Sequence, residues 1–209
     1  MNLIFDIGAN IGSTVDIFKT KSKQVVAFEA NPTLSNFLKS KYKNQNVVID
    51  GRGLSNKNET KQFKISNADT ISTFSDDWVT NSRFSENYVW NNVVDVETIT
   101  LDFAIELYGI PNYIKIDVEG YEYEVLTSFT KLIPNTVICF EWAEEQKDKI
   151  EMTLNHVKNL GYNNFSYTEA DKVLFDEEIN WVSFENFDII QKLNPEKKDK
   201  WGMIYFKLK

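Results

Sequence analysis

Short apolar runs that alternate with helix-spaced segments leave this sequence few folds to choose from. Residues 2–7 (NLIFDI) form an apolar run of strand length that stops at a glycine. Ile11, Val15 and Phe18 then recur at helical spacing across residues 10–21. Residues 24–29 (QVVAFE) make a second strand-like run, and Pro32 opens a helix carrying Leu34, Phe37 and Leu38, proline being favoured in a first turn. Residues 46–49 give a third strand. Strands alternating with helices of about a dozen residues are βαβ units, which build a parallel sheet with right-handed crossovers.

The rhythm breaks between residues 57 and 92. Residues 61–66 alternate like an edge strand, whereas 67–92 are rich in Ser, Asn, Asp and Thr but carry Trp78, Phe84, Tyr88 and Trp90. A polar loop with four large aromatics either folds over a site as a lid or packs on the core. Its length favours a lid, because long loops inside compact domains are often functional. The rhythm then returns: strand 93–97, helix 101–108, strand 113–118, helix 121–129, strand 136–142, helix 145–160 and strand 164–167. A turn at Ala170-Asp171, a short helix near 184–192 and a last strand at 203–208 complete the chain. No internal repeat and no Pro/Gly-rich linker interrupts it, so the 209 residues read as a single domain with 57–92 as an elaborated loop.

Composition narrows the function. A net charge of -8, with basic residues scattered apart from Lys197-Lys198-Asp199-Lys200, opposes a general polyanion binder, which needs Lys/Arg stripes against phosphates. Nucleic acid is therefore not the expected partner. Cys139 is the only cysteine and lies in the apolar run 136–140, which fits an inert buried thiol and rules out a thiolate zinc site within one chain. No run approaches the ~20 apolar residues of a membrane span and no leader pattern opens the chain, so a cytoplasmic location is the expectation. The oligomeric state stays open, a homodimer included.

The chemistry starts at Phe5-Asp6-Ile7-Gly8-Ala9-Asn10-Ile11-Gly12-Ser13, which joins the first strand to the first helix. In an open α/β sheet, ligands bind beyond the carboxyl ends of the strands near such a crossover. Gly8 and Gly12 permit a sharp turn and a close backbone approach. The spacing is not that of the dinucleotide fingerprint, and Asp6 places a carboxylate at the strand tip. A pyrophosphate would be repelled there, while the ammonium and sulfonium charges of S-adenosylmethionine would be attracted. Glu29 ends the second strand about 20 residues further on, where an acid can hydrogen-bond both hydroxyls of a ribose. Asn31-Pro32 shape the next turn.

With these features in place, FDIGANIGST, VVAFEANP, ITLDF and IKIDVEGYEYEVL, in that order between Phe5 and Leu126, resemble the signature blocks of the FkbM methyltransferases. The D-V-E-G-Y-E block discriminates most, since class I methyltransferases in general do not carry it. The resemblance implies O-methyl transfer from S-adenosyl-L-methionine on a Rossmann-like α/β fold. That fold is a seven-stranded, mostly parallel sheet with an antiparallel last strand and helices on both faces. It implies a donor site using Asp6, Gly8, Asn10, Gly12, Ser13, Glu29, Asn31 and Asp117, with Gly53-Leu54-Ser55 near the adenine and Asp50 structural. Family members usually carry a segment before the glycine block that helps close the site. Here the block begins at residue 3, so either the site is unusually open or another element, the aromatic loop being the candidate, covers it.

Asp117 and Glu119 stand at the end of the fourth strand, and alternation could put both on one face towards the acceptor. Glu141, near the end of the next strand, could join them. Methyl transfer needs proximity, alignment and a route for the acceptor proton. These three carboxylates could serve as general base or hold Mg²⁺, which would acidify a hydroxyl and orient a diol. Glu119 equally suits a helix cap, and Glu141 a lysine partner. Glu122 and Glu124 read as first-turn acids that stabilise a helix dipole, and Asp102 as a helix-start acid. His156, the sole histidine, falls in the helix 145–160, away from every strand tip. The expected acceptor is a small molecule or glycan, through a sugar hydroxyl of a glycan, glycolipid or nucleotide-sugar. An RNA methyltransferase of the same fold and a non-catalytic module that binds the nucleoside ligand are the alternatives.

Overall fold

The computed structural model describes residues 1–170 and 172–209. Asp171, half of the turn expected at Ala170-Asp171, lies outside the described residues. The first βαβ units form as their spacing dictates: β1 (Leu3–Ile7), α1 (Ser13–Lys21), β2 (Gln24–Phe28), α2 (Pro32–Lys41) and β3 (Val47–Asp50). Asn31 caps α2 by accepting from Thr33 N–H, with Pro32 in the first turn, where its missing N–H costs nothing. Later come α4 (Leu101–Tyr108), β7 (Tyr113–Ile116), α5 (Glu122–Thr127), β8 (Val137–Ala143), α6 (Lys147–Leu160), β9 (Asn164–Glu169), β10 (Val182–Ser183), α7 (Ile189–Lys192) and β11 (Trp201–Lys207).

The main sheet runs β10-β9-β11-β8-β7-β1-β2-β3. β3, β2, β1, β7 and β8 are mutually parallel, and β11 is antiparallel to both β8 and β9. The seven expected strands are therefore present, with β11 as the antiparallel last strand; the two-residue β10 adds an eighth at the edge. One face packs Phe5, Ile7, Ile114, Ile116 and Phe140 against Leu101, Ile105, Val125, Leu126 and Leu154. The other packs Ile4, Ala27, Tyr113 and Cys139 against Val15, Phe18 and Leu38. Phe18 is fully buried there, worth roughly 1.5–3 kcal/mol by area. Cys139 is buried mid-strand, as its apolar neighbours implied. No helix among the described residues is long and apolar enough to cross a membrane.

Residues 57–92 are more ordered than a polar loop. β4 (Gly53–Leu54), β5 (Glu59–Ile65) and β6 (Asn92–Ile99) form a second sheet in the order β4-β6-β5, with β5 and β6 antiparallel from Glu59↔Thr98 to Ile65↔Asn92. Between them lies α3 (Asp76–Asn81), capped by Ser75. The expectation that four aromatics lie over the site needs correction, since of the four only Phe84 lines the cavity at the open end of the main sheet. Trp78 is 1% exposed and packs on Gly120, and the Trp90 indole N–H donates to Ile71 O at 2.8 Å. Phe84 lies edge-on to both Trp78 and Tyr88. Polar composition hid this cluster because its large rings are separated by residues that face solvent.

At the β1/α1 turn, Gly8 has φ 86°, and a Cβ there would stand 1.7 Å from the carbonyl oxygen of Asp117. Gly109 has φ 96° but only the Leu3 side chain nearby, at 3.9 Å. Gly109→Ala should therefore cost about 1–3 kcal/mol for the backbone alone, since with ψ 173° it occupies a region open to glycine and little else. Gly8→Ala should cost that plus roughly 1–3 kcal/mol of overpacking. Urea denaturation of the two variants checks the order; equal losses would show that the β1 turn has room to move.

Candidate functional site

A cavity of about 550 Å³ opens at the carboxyl ends of β1, β2, β7 and β8. This is where the strand order reverses, with β2 on one side of β1 and β7 on the other, the expected ligand position in such a sheet. Gly8, Asn10, Ser13, Glu29, Gly53, Leu54, Asp117, Glu119 and Glu141 all line it. Phe28, Ala30, Phe63, Ile71 and Phe74 make part of the wall apolar.

Glu29 organises one half. Its Oε2 accepts from Asn10 N–H and its Oε1 from Asn31 N–H, both at 2.7 Å, so one carboxylate joins the turn after β1 to the turn after β2. Burial pushes this carboxyl up to about 7, although the two backbone donors pull it down. Asn10 adopts φ 48°; its side chain accepts from Ile11 N–H and donates to Asp69 O at 3.1 Å. The 69–72 turn is thereby tied across the cavity mouth.

Four expected donor-site residues, Asp6, Gly12, Asn31 and Ser55, do not line the cavity. Asp6 is fully buried, beside Lys115 in the β1/β7 register, and does not reach the cavity wall. Gly12 packs under Tyr42, whose hydroxyl donates to the Gly12 carbonyl at 2.8 Å. Asn31 is occupied in capping α2. Asp50 also lies outside the cavity lining, paired with Arg52 and Tyr108. Burial raises its carboxyl, but Arg52, at 2.6 Å, and the Tyr108 hydroxyl outweigh that and hold it below the ordinary carboxylate range. Ser55 is buried beside the Tyr121 hydroxyl, outside the cavity lining.

The other half is acidic. β7 ends at Ile116, and Glu119 and Gly120 take φ 55° and 78°, so strand alternation does not carry Asp117 and Glu119 onto one face. That expectation is corrected: the chain turns, and both still border the cavity. The reversal brings in Glu122 instead. Its Oε1 accepts from Val118 N–H at 2.8 Å, and Asp117, Glu122 and Glu141 place ligand atoms within 4.8 Å of one another. The expected grouping of Asp117, Glu119 and Glu141 thus becomes Asp117, Glu122 and Glu141. Burial, then the charge of Asp117, pushes the Glu119 and Glu141 carboxyls well above the usual range. Burial likewise lifts Glu122 to about 7. Lys115, 3% exposed along its side chain, offsets this charge and donates to Asp117 Oδ2 at 2.7 Å. Glu122 was hidden by its first-turn position; Lys115 was legible as a lysine inside the strand I-K-I-D. Arg52, Arg83 and Trp201 also line the cavity and carried no sequence signal, since they come from distant segments. His156 is remote from the cavity, with Nε2 2.9 Å from Phe129 O.

The model of the methyltransferase FkbM domain matches residues 6–167. Among solved structures, the chain is similar to the methyltransferase FkbM from Methylobacillus flagellatus KT. The TM-score is 0.56 and the identity 14%, over 98% of this chain and 43% of that one. It is also similar to a precorrin 8W decarboxylase from Methanobacterium thermoautotrophicum, at TM-score 0.51 and 12% identity, over 99% and 82%. A precorrin-6y C5,15-methyltransferase from Geobacter metallireducens GS-15 gives 0.50 and 12%, over 100% and 80%. These likenesses show the fold. No curated protein matches the sequence significantly.

Glu29 also sets a pH dependence. Its folded pKa of about 7 exceeds the ordinary 4.5. Its contribution to stability is therefore full below about 4.5 and is lost as pH rises through 7, up to roughly 3 kcal/mol. Glu29→Gln cannot titrate and exchanges one backbone acceptor for an amide donor. Melting curves should show the variant less stable than wild type at pH 5, with the gap closing by pH 8. A gap independent of pH would mean that Glu29 titrates normally.

Proposed function

The chain belongs to the FkbM family of S-adenosylmethionine-dependent methyltransferases, and from that premise we propose that it methylates an oxygen nucleophile, a sugar hydroxyl of a glycan, glycolipid or nucleotide-sugar. The same reading treats the 209 residues as one catalytic domain, small sheet included, and keeps nucleic acid outside its partners. The observation that carries it is the division of one cavity into two chemically different halves.

The donor half combines Glu29, the turn at Gly8 and Asn10, and the apolar wall of Phe28, Leu54 and Phe74. The Glu29 oxygens each retain a lone pair beyond their backbone bonds, which suits the two ribose hydroxyls. The apolar wall beside Gly53 and Leu54 suits a purine. Asp6 in β1 and Asp117, just past the end of the adjacent β7, suit the positive sulfonium.

The acceptor half is the carboxylate group. In the proposed step, the acceptor hydroxyl gives its proton to Asp117 or a neighbouring carboxylate as its oxygen attacks the methyl carbon. The C–S bond breaks, the electron pair returns to sulfur, and neutral S-adenosylhomocysteine leaves. Lys115 fixes one oxygen of Asp117, which orients the carboxylate without neutralising the whole cluster. The hard oxygen donors of Asp117, Glu122 and Glu141 also suit Mg²⁺. Such an ion would lower the pKa of a coordinated hydroxyl.

Glu29→Ala should weaken binding of the donor and its demethylated product by roughly 1–3 kcal/mol; unchanged affinity by calorimetry would count against the donor assignment. Asp117→Asn should lower turnover ~10²-fold or more with only a modest change in donor affinity, as for loss of a positioned base. If Mg²⁺ takes part, EDTA should reproduce that loss, Glu122→Gln and Glu141→Gln should share it, and added Mg²⁺ should restore the wild type. Indifference to EDTA leaves the base alone, and a fully active Asp117→Asn removes the site from the mechanism.

A further inference from the structure

Trp201 and Arg83 meet at the rim of the acceptor half, and no part of the donor site uses them. Trp201 begins β11, opposite Ala143, two residues before the Met203↔Glu141 pair and so on the same side of the strand. It lines the cavity yet keeps 41% of its surface exposed. An indole left open at the mouth of a cavity loses apolar burial that the small sheet or α3 could have provided. Arg83 is held against it. The guanidinium lies 4.8 Å from the Trp201 ring, 5.1 Å from Phe84 and 5.8 Å from Trp78. Its side chain is 15% exposed, with Glu145 at 3.8 Å and the Lys200 carbonyl at 3.5 Å as its polar neighbours. Both contacts are long for a guanidinium with five N–H donors, so the fork is positioned by stacking more than by hydrogen bonds.

Resting on the methyl-transfer reading, we propose that Trp201 is the platform of an acceptor subsite for an uncharged pyranose ring, with Arg83 donating to a ring hydroxyl. The charges around the rim select this class. A carboxylate or phosphate acceptor would pair with Arg83 but meet the charge of Asp117, which already opposes ionisation of Glu119 and Glu141 in the same cavity. A cationic acceptor would suit those acids and be repelled by Arg83. A neutral polyol meets neither penalty: its hydroxyls donate to the carboxyls and accept from the guanidinium. The apolar C–H face of a pyranose covers an indole as other amphipathic partners do. A small phenol could stack too, but would leave most of these polar groups without a partner, which costs affinity.

The test is saturation-transfer NMR on the full chain with methyl glycosides of glucose, galactose, mannose, fucose and rhamnose, each run with and without S-adenosylhomocysteine, and with catechol for comparison. At least one glycoside should receive saturation, strongest on the C–H protons of one ring face, and exceed catechol. Trp201→Ala should cut that signal at least fivefold while the S-adenosylhomocysteine signal and the melting temperature stay at wild-type values; Trp201→Phe should keep most of it. Arg83→Met should weaken the glycoside signal without touching the nucleoside. No glycoside signal under either condition, a signal indifferent to Trp201→Ala, or a preference for catechol overturns the subsite. Loss of the S-adenosylhomocysteine signal in the wild type would instead sink the donor assignment, and the glycoside arms without nucleoside read the subsite independently of it.

Discussion

How closely the turn after β1 can approach the tip of β7 decides the shape of the whole open end of the sheet. Gly8 sits where any side chain would overlap the Asp117 carbonyl, and that contact lets the two strand ends converge. Convergence puts the glycine turn and the acidic tip into one cavity and leaves room for Glu29 to reach Asn10. The hydrogen bonds from Asn10 and Asn31 then set the width of the opening. A more open turn would separate these groups, and no choice of side chains further along could restore their geometry.

Charge is the second constraint. Burying Glu119, Glu122 and Glu141 close to the charge of Asp117 opposes their ionisation, and their upward shifts express that cost. Lys115, inside the strand and against Asp117, keeps the cluster from being purely repulsive. A structural cluster of this kind would gain stability from replacement by apolar residues, since buried ionic groups rarely outperform hydrophobic ones. Retaining it beside a cavity is what a proton-transfer or cation-binding site requires, which is why the proposed acceptor half is placed here.

Much of this was legible in the sequence, and the parts that were not share a physical cause. α4 was expected over residues 101–108 and is found at Leu101–Tyr108, because its apolar period, the Thr100 cap and Gly109 agree. Glu29 could be placed because its position follows from strand length alone. Glu119 and Glu122 could not, since two successive left-handed residues turn the chain after β7, leaving Glu119 at the cavity and bringing Glu122 beside Asp117 and Glu141. Glycine at position 120 hinted at one such residue, but nothing in a glutamate marks the other. Arg83 and Trp201 lie 118 positions apart and meet only through the small sheet and β11, a contact with no periodicity to reveal it. The cluster around Trp78 was misread for a related reason, its polar neighbours pointing outward while the rings pack.

The two halves of the cavity also differ in how they are held, and that bears on which residues can vary. The donor half is built largely from backbone: N–H groups of Asn10 and Asn31, glycines at 8 and 12, and the carbonyls that Tyr42 and Asn10 engage. Substituting a side chain there changes the path of the chain, so the arrangement suits one invariant ligand, the methyl donor. The acceptor half is built from side chains on four separate segments: Arg83 after α3, Asp117 and Glu119 beyond β7, Glu141 in β8 and Trp201 in β11. Each can change without displacing the others' backbone. A fold of this kind keeps its donor while the acceptor varies, so the identity of the acceptor has to be read from the side chains at the rim and not from the glycine turn.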